Sequence, residues 1–295
     1  MNRRLLWRFL QTGFFILIVS ATTFGQINHD LKITLYPDSH RLEIVDIITL
    51  TDVYTKTEPL LFTLHQGLKP EVLDKGTILR KNFGAEAGRF FSNNPSLQNS
   101  NIKMELFEVK LPSGTSQFTL KYAGEIFHPV EEYCEEYARS FSESSGIISP
   151  QGIFLSGSTF WYPHFVDELV TFNMEVKLPT GWSSVSQGSR TKHDTSADSR
   201  RDVWMEDTPQ EEIYLISAEF TEYGQAAGAV EAMAFLRQPD PQLAQKYLDT
   251  TAQYLEMYRK LLGPYPYSKF ALVENFWETG YGMPSFTLLG PRVIR

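Results

Sequence analysis

The residues of this chain that could bind a catalytic metal or act as a general base begin with its histidines. There are six of them: His29, His40, His65, His128, His164 and His193. The residues that follow them are Asp, Arg, Gln, Pro, Phe and Asp, respectively. No H-E-x-x-H motif occurs, and no two histidines have the four-residue spacing that places two zinc ligands on one helix face. The sequence also contains no Gly-x-Ser-x-Gly motif, Walker loop or dinucleotide-binding motif. We therefore expect neither catalytic residues nor a zinc site within these 295 residues.

A second stretch suited to ligand binding is Gly280–Met283, with the sequence Gly-Tyr-Gly-Met. Because glycine has no Cβ, its backbone can be approached closely by a ligand or by another strand. A β-bulge or a tight connection is the alternative interpretation. Apolar, strand-like runs lie on both sides, at Phe270–Val273 and Phe286–Leu289. If it stays unpaired, the second run would be an exposed edge that is prone to aggregation.

The segment from Leu261 to Arg295, LLGPYPYSKFALVENFWETGYGMPSFTLLGPRVIR, resembles the start of the catalytic domain in the zinc aminopeptidases of peptidase family M1. In that family a short Gly-x-Met-Glu-Asn edge strand holds the peptide substrate. The zinc helix, with its H-E-x-x-H motif, follows further along the chain. The resemblance implies that this chain is the N-terminal portion of a zinc-dependent peptidase. Zinc would then be a cofactor of the full-length protein, held beyond Arg295, and the partner would be a peptide substrate.

The resemblance extends to single residues only in part. Gly282 and Met283 match the second small residue and the methionine of the family strand, and Tyr281 stands where the first glycine is expected. Pro284 replaces the glutamate that pairs with the substrate α-amine, and Ser285 replaces the asparagine. Proline supplies neither a charge nor an N–H, and removing one partner of a buried charge pair costs about 2–5 kcal/mol of binding.

The substrate-binding residues that the resemblance implies are Gly280, Tyr281, Gly282, Met283, Glu278 and Gln151. Glu278 or Glu274 could contact the substrate amine in place of the missing glutamate. Gln151 falls roughly where the family has a glutamine near that amine. Without the family glutamate, both an exopeptidase and an endopeptidase remain open.

Two further motifs have a structural and a functional interpretation. The aromatic run Phe160–His164 could be a sugar-binding platform, although core packing is favoured. Ser158 follows a predicted strand but lacks the second glycine of a nucleophile motif, so we assign it to a turn.

Alternation of apolar and polar residues predicts strands throughout residues 26–225. The clearest runs are Leu31–Leu35, Leu42–Leu50, Ile102–Leu106, Phe118–Tyr122, Phe172–Leu178 and Ile213–Phe220. Ile102–Leu106 and Phe118–Tyr122 are expected to form a hairpin across Pro112–Gly114. Three polar segments are predicted to be loops: Asn82–Asn101, the acidic Glu131–Gly146 and Gln187–Arg201. The pattern predicts a mainly β fold, an antiparallel β-sandwich.

The pattern changes after a predicted link of small residues at Gly224–Gly228. Val230–Leu236 is strand-like, and Asp240 followed by Pro241 is a typical helix start. One apolar stripe then predicts a helix up to Gly263. Its residues are Leu243, Tyr247, Tyr254, Leu255, Tyr258 and Leu262. We predict a signal peptide at 1–25, a β-sandwich domain at 26–225 and the truncated start of an α+β thermolysin-like catalytic domain at 226–295.

Charge and the N-terminal segment indicate where the protein acts. The formal net charge of −8 argues against a nucleic-acid partner. The single cysteine, Cys134, excludes an internal disulfide and lies among glutamates that disfavour its thiolate. The first 25 residues contain three arginines, an apolar core and a small-residue exit, which is the pattern of a secretory signal peptide. An uncleaved anchor is the alternative; cleavage would change the charge from −8 to −11 by removing three arginines.

Two other hypotheses remain open beside the N-terminal portion of an exported M1-like peptidase. The first is a non-catalytic secreted β-sandwich that binds a protein or a carbohydrate. The second is a degenerate peptidase that keeps the substrate cleft but does not cleave.

Overall fold

The computed structural model describes residues 26–51, 60–98, 100–133 and 141–295. The predicted signal peptide and Cys134 therefore lie outside the described residues. The strands in chain order are β1 (Gln26–Tyr36), β2 (Arg41–Thr49), β3 (Leu60–His65), β4 (Leu68–Val72), β5 (Ile78–Asn82), β6 (Met104–Lys110), β7 (Gln117–Glu125), β8 (Glu131–Tyr133), β9 (Phe141–Glu143), β10 (Ile147–Ser149), β11 (Gly152–Leu155), β12 (Leu169–Leu178), β13 (Ser183–Val185), β14 (Ser189–Thr195), β15 (Arg200–Gln210), β16 (Leu215–Ala218), β17 (Thr221–Ala227), β18 (Val230–Leu236), β19 (Lys269–Glu274), β20 (Gly280–Met283) and β21 (Phe286–Leu289). The helices are α1 (Gly84–Asn93), α2 (Pro95–Gln98), α3 (Pro241–Leu262) and α4 (Pro291–Ile294). The fold is thus mostly β, as predicted.

The part of the chain up to Ala218, here called the N-terminal region, forms four sheets among the described residues. The largest has the strand order β14-β15-β12-β1-β2-β7-β4, and the others are β10-β11-β16-β13, β3-β6-β5 and β8-β9. Most pairs are antiparallel, but β1 and β12 run parallel. Parallel pairing requires a long connection, and here the whole segment from β2 to β11 separates the two strands.

Period-two burial confirms the strands predicted from alternation. Along β1 the residues Ile27, His29, Leu31, Ile33 and Leu35 are all buried, and the residues between them are more exposed. β2 repeats this pattern, and its one inward-facing polar residue is a carboxylate that pairs with β1. The aromatic run at 160–164 is core packing: the Trp and Tyr in it are almost fully buried.

Four sequence expectations in the N-terminal region are wrong. β6 and β7 do not form a hairpin, because β6 pairs with β3 and β5 whereas β7 pairs with β2 and β4. Alternation identifies a strand but carries no information on its partner. The predicted loop at 82–101 contains α1 and α2, and the one at 187–201 contains β14, whose outward face is polar because it is exposed. Glu131–Gly146 contains the β8-β9 pair.

The part from Thr221 onward, here called the C-terminal region, is a five-stranded sheet with one long helix. Its strand order is β17-β18-β19-β21-β20. The predicted link at Gly224–Gly228 is largely strand β17, paired with β18, because small residues do not prevent pairing. β21 is also not an exposed edge, since β19 and β20 pair with its two sides.

Helix α3 begins as predicted and continues to Leu262. Asp240 caps it by accepting a hydrogen bond from the Leu243 amide at 3.0 Å. Ala244 and Leu248 are buried against the sheet, but Tyr258 and Leu262 remain 50% and 83% exposed. The predicted apolar stripe is therefore covered only in its first half.

The two faces of the five-stranded sheet pack against different partners. Met233, Phe235, Val273, Phe286 and Leu288 belong to the same core as the N-terminal region. The opposite face packs against α3 in a smaller core that includes Ala232, Ala234, Leu236 and Leu272. The C-terminal sheet therefore lies between α3 and the N-terminal region. Among the described helices, none is long and apolar enough to span a membrane.

Candidate functional site

Strand β20 forms one edge of the C-terminal sheet. It pairs with β21 on one side, from Gly280 opposite Leu289 to Met283 opposite Phe286. No strand pairs with its other side within the ranges that the structure describes. An edge of this kind presents unpaired backbone N–H and C=O groups, to which another extended chain can add.

The side chains of β20 alternate between the protein and solvent. Tyr281 and Met283 are half-buried, whereas Gly280 and Gly282 are exposed. A Cβ added at Gly282 would meet no atom within 4 Å, and Gly282 does not require a left-handed backbone. Neither packing nor conformation therefore demands glycine here. What the missing side chain provides is open space beside the strand.

That open space is a cavity of about 680 Å³ between the two regions. Tyr281, Gly282 and Met283 form one wall. The opposite wall comes from the N-terminal region and includes His128, Glu131, Glu143, Phe154, Glu212 and Tyr214. A groove with a free strand edge on one side and carboxylates on the other suits an extended chain that carries a positive charge.

An aromatic cluster joins the β20 wall to the opposite wall. The Tyr281 ring stacks on Phe154 with centroids 6.0 Å apart, and Phe154 meets Trp277 edge to face at 5.4 Å. Burial and the nearby Glu143 carboxylate raise the pKa of Tyr281, so its phenol stays neutral. Tyr281 can therefore donate a hydrogen bond but does not act as a base.

The carboxylate of Glu212 is bonded to other residues of the opposite wall and so helps to hold that wall in place. The carboxylate accepts hydrogen bonds from the Tyr214 hydroxyl and from the Gly157 amide, both at 2.5 Å. Gly157 opens a 3-10 turn that ends at Thr159, and the Ser158 hydroxyl bonds to Ser156 at 2.8 Å. The prediction that Ser158 belongs to a turn is confirmed.

Neither glutamate proposed as a substitute for the missing amine contact has its carboxylate in the cavity wall. Glu278 accepts a hydrogen bond from the Arg292 amide at 3.2 Å and lies 3.6 Å from the Arg292 guanidinium. Glu274 is buried and bonds the Arg295 guanidinium at 2.8 and 3.0 Å, as well as the Arg237 amide at 2.8 Å. Both carboxylates are thus committed to arginines of the C-terminal region.

Gln151 lies in the turn between β10 and β11 with its side chain exposed. Its backbone carbonyl accepts a hydrogen bond from Arg237 at 3.1 Å, and the residue is not part of the cavity wall. The structure thus brings Tyr281, Gly282 and Met283 together at the cavity. It places Gln151 and the carboxylate of Glu278 elsewhere.

A histidine pair beside the cavity was not predicted. His65 and His128 face each other with their Nε2 atoms 2.9 Å apart, and the Gly67 amide donates to His65 Nδ1 at 2.9 Å. The proton of neutral His65 is therefore on Nε2 and is donated to His128. The two rings are 63 positions apart in sequence, so no local motif could have indicated the pair.

This pair is not a zinc site. Each His65 nitrogen already has a hydrogen-bond partner, and a structural or catalytic zinc needs at least three protein ligands. In the described ranges, no group of three or more His, Cys, Asp or Glu side chains is placed to hold a metal ion. The described residues therefore do not fit the zinc that the M1 resemblance implies.

Comparisons with known proteins were informative only at the level of structure. No protein-family model matches the sequence, and the search of curated proteins finds no match. An M1 zinc metallopeptidase mutant from Deinococcus radiodurans, bound to a Tyr-Ser-Ala substrate, is similar over 90% of this chain with a TM-score of 0.59 and 15% identity. A two-domain M1 zinc metallopeptidase mutant bound to L-arginine is similar over 90% of the chain, with a TM-score of 0.53 and 15% identity.

The chain spans 60% of the length of these solved structures. At 15% identity the likeness shows a common fold and no more. It confirms that the chain has the fold of an N-terminal portion of an M1-like peptidase, as the Leu261–Arg295 segment had indicated.

Proposed function

We propose that this chain supplies the peptide-binding part of an exported, zinc-dependent M1-like peptidase. The observation that carries the proposal is the free edge of β20 along an open cavity. In this interpretation residues 26–225 are a β-sandwich domain and residues 226–295 begin a thermolysin-like catalytic domain. The zinc site would lie in a part of the protein outside these residues.

An extended peptide would bind by adding a strand to β20. Its backbone would pair with the free N–H and C=O groups of the strand, which gives affinity without dependence on sequence. Gly282 leaves room for the incoming backbone, and the half-buried Tyr281 and Met283 support the strand from below. In an M1 structural neighbour the ligand is the tripeptide Tyr-Ser-Ala, which is consistent with a short peptide.

The groove departs from the family pattern in the residue that would contact a peptide amine. Pro284 cannot make that contact, and Glu278 and Glu274 are paired with arginines. Glu143 is the exposed carboxylate of the opposite wall that lies near Tyr281. We assign the ammonium contact to Glu143 and not to Glu278, whose carboxylate contacts Arg292.

The chemical step needs a metal ion that the described residues are not placed to hold. When bound, zinc supplies a Lewis acid and a water of lowered pKa for attack on a peptide carbonyl. The residues described above bind and orient the peptide and line the space around it. Export rests on the predicted signal peptide at 1–25, which would direct the protein to the periplasm or the exterior.

The decisive experiment compares the product of the complete open reading frame with the 295-residue chain. We expect the former to bind one zinc per chain and to hydrolyse Tyr-Ser-Ala, and the latter to do neither. Cleavage of the free tripeptide but not of its N-acetylated form would identify an exopeptidase. Cleavage of both would identify an endopeptidase. Hydrolysis by the 295-residue chain alone would overturn the proposal.

The binding step is tested separately by Gly282→Val. The new side chain would occupy open space on the peptide side, so we expect an unchanged melting temperature and loss of tripeptide binding. Gly88→Val in α1 is the matched control, because a Cβ there also meets no atom within 4 Å. Binding by Gly282→Val that equals binding by Gly88→Val would exclude a peptide that occupies the open space beside Gly282.

The alternative is a secreted binding or scaffold protein without catalysis. The commitment of Glu278 and Glu274 to arginines favours it, because both carboxylates lie away from the groove. A stop codon directly after Arg295, or peptide binding by the complete protein without zinc and without cleavage, would support this alternative.

A further inference from the structure

Lys269, the first residue of β19, is a buried basic residue in apolar surroundings. Only 2% of its surface is exposed, and its Nζ lies 5.3 Å from the centre of the Trp204 ring and 5.5 Å from that of Phe286. Trp204 belongs to β15 of the N-terminal region, so the lysine lies where the two regions meet. Burying an ammonium group is costly unless its hydrogen-bond donors find acceptors.

The acceptors of Lys269 are both on Ser285. Its Nζ donates to the Ser285 hydroxyl at 2.7 Å and to the Ser285 carbonyl at 3.2 Å. The same carbonyl also accepts from the Ala271 amide at 3.1 Å. Ser285 is itself 2% exposed, so these bonds are shielded from water.

Ser285 occupies a conformation that it does not favour. It is the second residue of the two-residue loop between β20 and β21, and its φ is +66°. Left-handed positions in tight hairpins usually have glycine or asparagine, and Pro284 restricts the loop further. Because serine gains little locally from this conformation, the turn depends on bonds from outside the hairpin.

We propose that Lys269 is a positioning residue, which holds the Pro284–Ser285 turn in its left-handed form and so sets the free edge of β20 along the cavity. The start of β20 has its own restraint, since the Gly290 amide donates to the Thr279 carbonyl at 2.8 Å. The far end, at Met283, leads directly into the turn. That the edge serves a peptide rests on the proposed function; the link between Lys269 and the edge does not.

The charges around Lys269 explain why an amine can occupy this place. Burial lowers the pKa of Lys269 to about 7; Arg190 on β14 also lowers it, whereas Glu206 on β15 and Glu231 on β18 raise it. A neutral amine still has two N–H donors, one for each acceptor on Ser285. The turn is therefore held in both charge states, and substitution tests the role more sharply than a change of pH.

The test measures amide hydrogen exchange of the segment 280–286 in the full 295-residue chain. Lys269→Met keeps the apolar stem but removes both donors, and we expect exchange there to rise about tenfold or more relative to the rest of the molecule. Ser285→Gly placed in the Lys269→Met background should restore slow exchange, because glycine adopts the left-handed φ without outside support. A packing role alone would not be rescued in this way.

Leu248→Ala is the control for a general loss of stability, with no selective change at 280–286. Ser285→Ala removes only the hydroxyl acceptor, and it decides the matter if Lys269→Met does not fold: a selective rise in exchange supports the proposal. Uniform exchange across the molecule, or failure of Ser285→Gly to rescue, would overturn it. Tripeptide binding is measured in parallel; if the unmodified chain binds no peptide, the proposed function fails while the exchange result still decides the role of Lys269.

Discussion

A buried polar pair in the N-terminal region and an exposed apolar helix end in the C-terminal region show how differently the two places are covered. The N-terminal region buries polar groups, such as His29 and Asp46, which are both fully inaccessible. The C-terminal region exposes apolar ones, with Tyr254 54%, Leu261 70% and Leu262 83% exposed. The difference reflects how far the sheets of each region extend over the side chains that pack on them. The N-terminal sheets enclose even polar side chains, and the C-terminal sheet is too short to cover its helix.

Element lengths account for the exposed helix end. Helix α3 has 22 residues and is about 33 Å long, because each residue adds about 1.5 Å. Strand β18 has seven residues and spans about 23 Å. The C-terminal part of α3 therefore extends beyond the sheet, and its apolar stripe faces solvent there.

The largest effect is expected from breaking the buried polar pair of the N-terminal region. His29 Nδ1 lies 2.8 Å from Asp46 Oδ2, and burial raises the pKa of Asp46 although the nearby histidine lowers it. Asp46→Ala would leave a buried histidine without its partner, so we expect a loss of about 3–5 kcal/mol in the free energy of unfolding in urea. Replacing both residues by leucine should recover most of this loss, because both desolvation penalties disappear.

The contrasting variant lies on the exposed helix. Glu256 contacts Arg259 at 2.7 Å and Lys260 at 3.2 Å, but all three side chains are about half exposed. Glu256→Gln should leave the urea midpoint unchanged, because water screens such pairs. If Asp46→Ala and Glu256→Gln had equal effects, the contrast between the regions would be lost.

The next two variants test how far along α3 the helix is covered by the sheet. Leu248 is 4% exposed and packs in the smaller core, so Leu248→Ala should cost about 2–4 kcal/mol in urea unfolding. Leu261→Ala should change stability by less than about 0.5 kcal/mol, because its side chain is already in solvent. A large loss at Leu261 in the 295-residue chain would mean that another surface covers the helix end in solution.

How much of this could be read from the sequence depends on the distance between interacting residues. The cap of α3 by Asp240 and the strand at Gly280–Met283 are local features, and both were predicted. The pairing of β6 with β3 and β5 is non-local, and the regular alternation of β6 fits several partners equally well. The polar strand β14 was missed because its exposed face removes the apolar signal on which the prediction depends.

The candidate site follows the same rule. The glycines of β20 could be identified because their chemistry lies in adjacent residues. The opposite wall could not, since Glu143 at the end of β9 and Tyr214 just before β16 are far apart in the sequence. A role for Glu278 in substrate binding depends on the direction of its carboxylate. The sequence separation between Glu278 and Arg292 does not reveal that the two side chains are paired.

The last effect, smaller than those expected of Asp46→Ala and Leu248→Ala, concerns the histidine pair beside the cavity. Burial and the adjacent His128 lower the pKa of His65 to about 4, and burial lowers that of His128. In the unfolded chain a histidine has a pKa of about 6.5. Between these values the unfolded chain binds more protons, so the stability from the pair is full above about pH 6.5 and is lost as the pH falls towards 4.

The geometry accounts for this direction. His65 Nδ1 accepts from Gly67 and its Nε2–H is donated to His128, so an added proton at either accepting nitrogen would place two N–H groups against each other. His65→Leu leaves the Gly67 amide and His128 without this partner, and it should cost about 1–3 kcal/mol at pH 7. It should also flatten the fall in stability between pH 6.5 and 4, measured by urea unfolding at each pH. If the variant kept the slope of the unmodified chain, the acid sensitivity would have to come from another group, such as His164, whose pKa is also lowered by burial.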